Sequence, residues 1–586
     1  MNSPFNIPDE YLQGFFKAGQ NLMQALSSPL SAPMATVLAP ATQASTPIAM
    51  PGSNAVVAPA GSAPLAELQM NYLQQQFALW AKMMAGAVAA EPVVSPDRGD
   101  RRFNAAEWRE NPAYSLLKQV YLLNSRLIGD VVESADLDEA TKHRLRFYSR
   151  QFVDAMSPAN FPSTNPDVLK LAFETRGESL QAGFKNLLAD MNKGGLTITD
   201  EKAFEVGNNV AVSAGAVVFE NELLQLIQYA PLTEQVATRP LVIVPPCINK
   251  FYILDLQPEN SFVRFATEQG HTVFLVSWRN PDASCGHITW DDYVAQGAIK
   301  CIAVAREITG ADQVNAVGWC VGGTILSSAL AVLRAQGDKS VASLTLLTTM
   351  LDFREPGDLG VFIDEQGVSQ REQTIGKGGI YKGSELGFVF QTLRANDLIW
   401  PNVINNYLKG KSPEAFDLLY WNADATNLPG PMYAWYMRNM YLENNLKEPG
   451  KLTVCDTPVD LGAIDMPSYV LATQEDHIVP WRSAYQTTQL VGGKSQFVLG
   501  ASGHIAGVIN PATKNKRSYW TGGKQGDDPE QWLASASETP GSWWNHWIKW
   551  LDPKGGKAIA ARRKFGNRKY PVIEPAPGRY VKVRAE

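Results

Sequence analysis

A chain of 586 residues exceeds one ordinary domain, so two or more folded units are expected. Apolar residues make up 45% of it, enough for a full-sized core, and the formal net charge of −6 gives no general attraction to nucleic acid or another strongly anionic surface. The five cysteines are odd in number and lack Cys-x-x-Cys or His-Cys spacing, which argues against a disulfide framework or a metal site and suits a reducing cytoplasm.

The N-terminus has no basic region before an apolar stretch, and no run of about 18 apolar residues follows, so neither export nor a transmembrane segment is expected. Tyr11, Leu12, Phe15, Phe16, Leu22, Met23 and Leu26 fall near helical spacing. Residues 27–64, rich in Ala, Pro, Ser and Thr, read as a disordered linker without a core. A second helical segment carries Leu65, Leu68, Tyr72, Phe77, Leu79, Trp80, Met83 and Met84, and its apolar surface is wide. Such a face serves either packing within the chain or adhesion to a hydrophobic body or partner. Tyr114, Leu117, Tyr121 and Ile128 continue the helical pattern, and a further helix over 136–156 ends at Ser157-Pro158. Residues 1–200 are therefore assigned to a mostly helical N-terminal domain.

From 201 to 586 short β-branched runs alternate with helical stretches, the pattern of a parallel sheet with crossover helices. Strands are expected over 241–244, 272–277, 314–317, 343–348, 468–471 and 496–499. The stretch between the fourth and fifth is too long for a simple connection. It reads as a cap subdomain inserted at about 352–466.

Gly318-Trp319-Cys320-Val321-Gly322, between a strand and a helix, forms the nucleophile elbow of an α/β-hydrolase fold with cysteine in place of serine. The glycines suit a crowded turn, and the helix N-terminus directs positive charge at the sulfur. This fold places an acid and then a histidine after later strands. Of six histidines, His143, His271 and His287 precede the elbow and His546 lies in a Trp-rich tail helix. His504, in the small-residue loop after the last strand, is assigned as base, and Asp476, 28 residues earlier, as acid. Asp476 would orient the imidazole or supply a second basic function. His477 reads as a substrate neighbour or as structural. Backbone N–H groups of Val321 and of Ile248, in the loop after the first strong strand, are the expected oxyanion donors. Cys247 in the same loop reads as packing rather than as a second thiol.

The elbow, the Pro-Pro-Cys-Ile-Asn-Lys-Phe-Tyr-Ile-Leu-Asp run at 245–255, Ser-Trp-Arg-Asn-Pro at 277–281, Asp-His-Ile-Val-Pro-Trp at 476–481 and Ser-Gly-His-Ile-Ala-Gly at 502–507 resemble class I polyhydroxyalkanoate synthases. The resemblance runs from about Pro96 to the Pro-Gly-Arg-Tyr-Val-Lys-Val tail at 577–583. It implies an acyltransferase that polymerises (R)-3-hydroxyacyl-CoA, with 3-hydroxybutyryl-CoA the class expectation, and releases CoA through a thioester on Cys320. It implies no cofactor beyond the CoA thioester substrate, a homodimer, and a cytoplasmic location on polyester granules. Granule-associated proteins would be met through the N-terminal domain. It also places Asp476 near the 3-hydroxyl and Arg394 near the CoA phosphates, where guanidinium pairs well; a surface ion pair is the other reading of Arg394.

Two alternatives compete: a cysteine-type hydrolase (thioesterase or polyester depolymerase) using the same three residues, and a granule scaffold built on the N-terminal helices. The seven basic residues between Lys554 and Lys569 lack an aromatic stacking platform and read as a solvated tail, not a nucleic-acid site. Trp543, Trp544, Trp547 and Trp550 are expected to pack the last helix onto the domain.

Overall fold

The computed structural model describes residues 62–88, 91–97 and 99–585. The helix expected within the first 26 residues, and the linker as far as residue 61, lie outside the described residues. The chain divides into two compact units, one of 1–197 with 394–413 and one of 198–393 with 414–586. Arg394–Pro413, inside the insertion expected at 352–466, thus clusters with the first unit.

The described part of the first unit is helical: α1 (Ser62–Met84), α2 (Pro112–Ser134), α3 (Glu139–Ala155), α4 (Pro166–Glu174) and α5 (Glu178–Lys193). Sequence sets the boundaries. Asn111 accepts from the backbone N–H of Ala113 at 2.9 Å and Pro112 occupies the first turn of α2; Asp138 caps α3 through Thr141 N–H at 3.0 Å. Leu79, Val88, Val94, Trp108, Leu122 and Leu123 close a core beneath α1 and α2. On the other side of α1, Met70, Leu73, Phe77, Trp80 and Met84 are exposed. The residues that looked like one wide apolar face therefore split into a buried stripe and an open one.

The second unit is built on an eleven-stranded sheet. In chain order its strands are β1 (Gly215–Glu220), β2 (Leu224–Tyr229), β3 (Leu241–Val244), β4 (Val273–Trp278), β5 (Val314–Trp319), β6 (Val341–Leu347), β7 (Ser468–Thr473), β8 (Ser495–Gly500), β9 (Ser518–Thr521), β10 (Ser537–Pro540) and β11 (Glu574–Pro575). The spatial order is β10-β9-β8-β7-β6-β5-β3-β4-β2-β1-β11. The six expected strands are the parallel centre, β3 to β8. They are apolar on both faces because helices cover both, so they read as continuous runs. β1 and β2 at one side, and β9 and β10 at the other, pair antiparallel. The helix α6 (Val321–Ala335) follows β5 and is buried along most of its length.

The tail helix α7 (Trp544–Leu551) buries Trp544, Trp547, Ile548 and Leu551, with Phe262 4.8 Å from the Trp547 ring, which is the packing role expected of this segment. Part of the basic tail is engaged with the domain: Lys569 pairs with Glu307 at 2.5 Å and Arg562 bonds the Ile308 carbonyl.

Candidate active site

Three strands of the parallel sheet lead into the candidate residues. β5 ends at Trp319, one residue before Cys320; β7 ends three residues before Asp476; β8 ends four residues before His504. All three residues therefore follow the carboxyl ends of parallel strands, β7 and β8 side by side and β5 one strand further along, across β6.

Cys320 has φ 51° and ψ −129°, a conformation that L-residues rarely adopt, and such strain persists only where the surroundings over-determine it. The surroundings do so. A Cβ at Gly318 would lie 2.4 Å from the Gly323 Cα, and one at Gly322 would lie 2.4 Å from the carbonyl oxygens of Val244 and Pro245. The Cys320 N–H donates to Leu347 O at 2.9 Å, and its carbonyl accepts from Gly323 N–H at 2.8 Å. The elbow is thus clamped between β6, the start of α6 and the loop after β3.

Val321 begins α6, where backbone N–H groups have no partner within the helix and face a developing negative charge well. In the loop after β3, Pro245 and Pro246 carry no N–H, so the first available donors are Cys247 and Ile248. Burial pushes the Cys247 thiol up, and the nearby Cys320 sulfur pushes it further. That environment keeps Cys247 a neutral packing residue.

Asp476 is held on every side. One carboxylate oxygen accepts from Ile478 N–H at 2.9 Å and Val479 N–H at 2.8 Å; the other takes the Thr473 hydroxyl at 3.2 Å and lies 2.7 Å from His504 Nδ1. Its side chain is fully buried. His504 is buried too, and the Cys320 sulfur lies close enough to act on its charge. Burial opposes a charged ring there, but the Asp476 carboxylate and the Cys320 sulfur outweigh it, and the imidazole is pushed up to about 10. The surroundings therefore favour the charged form of the His504 ring.

Tyr436 and Tyr441 belong to the same apolar cluster as Cys320, and both phenols are pushed up by burial first and by their neighbours second. Tyr436 stacks on Trp290 with ring centroids 5.3 Å apart, and Phe353 meets Tyr441 edge-on at 4.9 Å. Sequence reading missed this aromatic wall. Its only signal was the density of aromatics in the insertion.

His477 is half-buried beside Asp476. Arg394 belongs to the first unit, where it pairs with Asp397 at 2.6 Å and stays half-exposed. Among the described residues no group of His, Cys, Asp or Glu converges as a metal site, and no helix is long and apolar enough to cross a membrane.

Residues 99–266 match the family described as poly-beta-hydroxybutyrate polymerase (PhaC) N-terminus, and residues 240–511 match the alpha/beta hydrolase fold. The chain is 55% identical over 528 residues to the poly(3-hydroxyalkanoate) polymerase subunit PhaC of Cupriavidus necator, covering 89% of each chain. It is 45% identical over 523 residues to the poly(3-hydroxyalkanoate) polymerase of Methylorubrum extorquens, covering 88% of this chain and 86% of that one. The PhaC subunit of Rhizobium meliloti is 42% identical over 529 residues, with 89% and 86% covered. A strained cysteine beside a buried His–Asp pair on an α/β-hydrolase sheet, and identity over nearly the whole length, lead to one conclusion: the chain belongs to the poly(3-hydroxyalkanoate) polymerase family.

Proposed function

We propose that this enzyme polymerises (R)-3-hydroxyacyl-CoA, with 3-hydroxybutyryl-CoA the expected substrate, through a thioester on Cys320. The observation that carries this reading is the buried His504, bonded to Asp476 at 2.7 Å, with the strained Cys320 of the elbow near enough to raise its pKa.

The chemistry follows from that placement. The Cys320 thiolate attacks the thioester carbonyl, and the N–H groups of Val321 and Ile248 hold the oxyanion. As the tetrahedral centre collapses, the carbon–sulfur bond to CoA breaks and His504 donates its proton to the departing thiolate, giving free CoA. For elongation, a 3-hydroxyl attacks the acyl-cysteine; His504 accepts the hydroxyl proton, an ester bond forms and the Cys320 sulfur is released. Each cycle consumes one thioester and forms one ester. Both Asp476 oxygens are committed to backbone, Thr473 and His504, which supports an orienting role over direct proton abstraction from the 3-hydroxyl.

A hydrolase needs water at the acyl-cysteine, whereas polymerisation needs it kept out. The wall of Tyr436, Tyr441 and Phe353 supports transfer to an alcohol over loss to water. The growing polyester keeps the enzyme at a cytoplasmic granule surface, as a homodimer, with the first unit free to meet granule-associated proteins. At Arg394 the pairing with Asp397 supports the surface ion-pair reading, and a phosphate would have to displace that carboxylate.

The test is purified enzyme with 3-hydroxybutyryl-CoA, following CoA release and polymer mass together. Both should rise in step. CoA release with free 3-hydroxybutyrate and no polymer would establish the hydrolase reading instead.

A further inference from the structure

The loop that follows β3 has to aim a backbone N–H at a charge that exists only during reaction. Such donors lose their value when misplaced by about half an ångström. Its first part is fixed by the sheet: Trp278 Nε1 donates to Pro245 O at 2.9 Å, and the Val244 and Pro245 carbonyls lie against Gly322. Its second part, from Ile248 onward, is fixed by a segment of the insertion, residues 421–427.

That segment meets the loop like a short antiparallel strand. Asn249 bridges Ala425, and Thr426 N–H donates to Ile248 O at 3.0 Å. Two side-chain bonds close the pairing: Trp421 Nε1 donates to Lys250 O at 2.7 Å, and the Tyr252 hydroxyl donates to Asp424 Oδ2 at 2.9 Å. Trp421, Asp424, Thr426, Lys250 and Tyr252 are all at least nine-tenths buried. The Lys250 ammonium reaches Val583 O at 2.6 Å from the same buried cluster. This is a costly arrangement of polar groups for a loop whose only other task is to join two elements.

We propose that the Tyr252–Asp424 and Trp421–Lys250 bonds are a brace that sets the Ile248 peptide for oxyanion stabilisation, making Tyr252, Asp424 and Trp421 positioning residues for acyl transfer. None of them touches the reacting atoms. Because the brace joins the oxyanion loop to the insertion, a displacement of residues 421–427 would withdraw the donor while leaving Cys320, His504 and Asp476 in place. The inference rests on the proposed thioester chemistry at Cys320.

Two reactions of the same sulfur separate this role from general damage. Acylation by 3-hydroxybutyryl-CoA passes through a tetrahedral oxyanion; alkylation by iodoacetamide displaces iodide directly and forms none. Tyr252→Phe removes one hydroxyl, and Trp421→Phe removes the N–H together with part of the buried ring. In each variant, single-turnover acylation should fall about tenfold, while Cys320 alkylation should stay within about twofold of wild type. Equal losses in both reactions, or no loss in either, would overturn the brace. Thermal unfolding midpoints identify a variant that has failed to fold, and the other variant then decides. If wild-type enzyme turns over substrate without acylating Cys320, the parent reading fails, an outcome visible before any variant is made.

Discussion

The two units handle apolar side chains in opposite ways. In the second, Leu241, Val242, Ile243 and Val244 of β3 and their neighbours in the parallel sheet have no exposed surface, and the strained Cys320 is held by that rigidity. In the first, α1 leaves Phe77 72% and Trp80 57% exposed, and α5 leaves Phe184 59% exposed. On α1 the open positions 70, 73, 77, 80 and 84 recur at alternating steps of three and four, the spacing of one helical stripe. One unit spends its apolar residues on fixing atoms to within fractions of an ångström. The other presents them outward, where they suit contact with an apolar body or partner. Chemistry and association are thus expected to respond to different substitutions.

The largest effects should fall on the second unit. Cys320→Ala should abolish CoA release and polymer together, a loss of more than about a thousandfold, measured as CoA release per enzyme. Asp476→Asn should cost about a hundredfold or more in the same assay while leaving the first unit's fold intact by circular dichroism. It should also shift a titration. In wild type, His504 should hold its proton through neutral pH and release it near 10, because Asp476 and the Cys320 sulfur outweigh burial. Without the carboxylate the downward pull of burial remains and one upward influence is gone, so the midpoint should fall. NMR of ring-labelled histidine would read both midpoints, and an unmoved one would break the proposed electrostatics.

Smaller effects test the first unit. Leu79→Ala should destabilise it by about 2–5 kcal/mol, since Leu79 is buried, whereas Phe77→Ala should change stability by less than about 0.5 kcal/mol in denaturant titrations. The double change Phe77→Ser with Trp80→Ser should leave Cys320 acylation within about twofold and weaken co-sedimentation with polymer. If instead it lowered acylation and left co-sedimentation unchanged, the division of labour would be wrong. These substitutions are cleaner than removing residues 1–95, which would also take Leu79, Val88 and Val94 from the core.

How much of this could be read from the chain depended on whether the signal was local. The central strands are apolar on both faces, so β3 and β5 stood out as β-branched runs. Cys320 was legible because an elbow needs small residues at fixed offsets. His504 and Asp476 followed because strand order constrains them. Among the flanking strands β10 was not legible, since it carries Ser, Glu, Thr and Pro at one end of the sheet and no apolar run marks it. Neither was the clustering of Arg394–Pro413 with the first unit, which depends on partners far away, as in Tyr407 OH to Asp190 at 2.7 Å across 217 positions. The Tyr252–Asp424 bond spans 172 positions and joins two residues that look unremarkable alone. Local rules find the nucleophile; only the fold finds what braces its surroundings.

The most direct test of the account is mass spectrometry of enzyme quenched during turnover of 3-hydroxybutyryl-CoA. The account predicts hydroxybutyryl or oligomer mass on the peptide containing Cys320 and on no other. An adduct on a different side chain, or polymer forming while Cys320 stays unmodified, would contradict it.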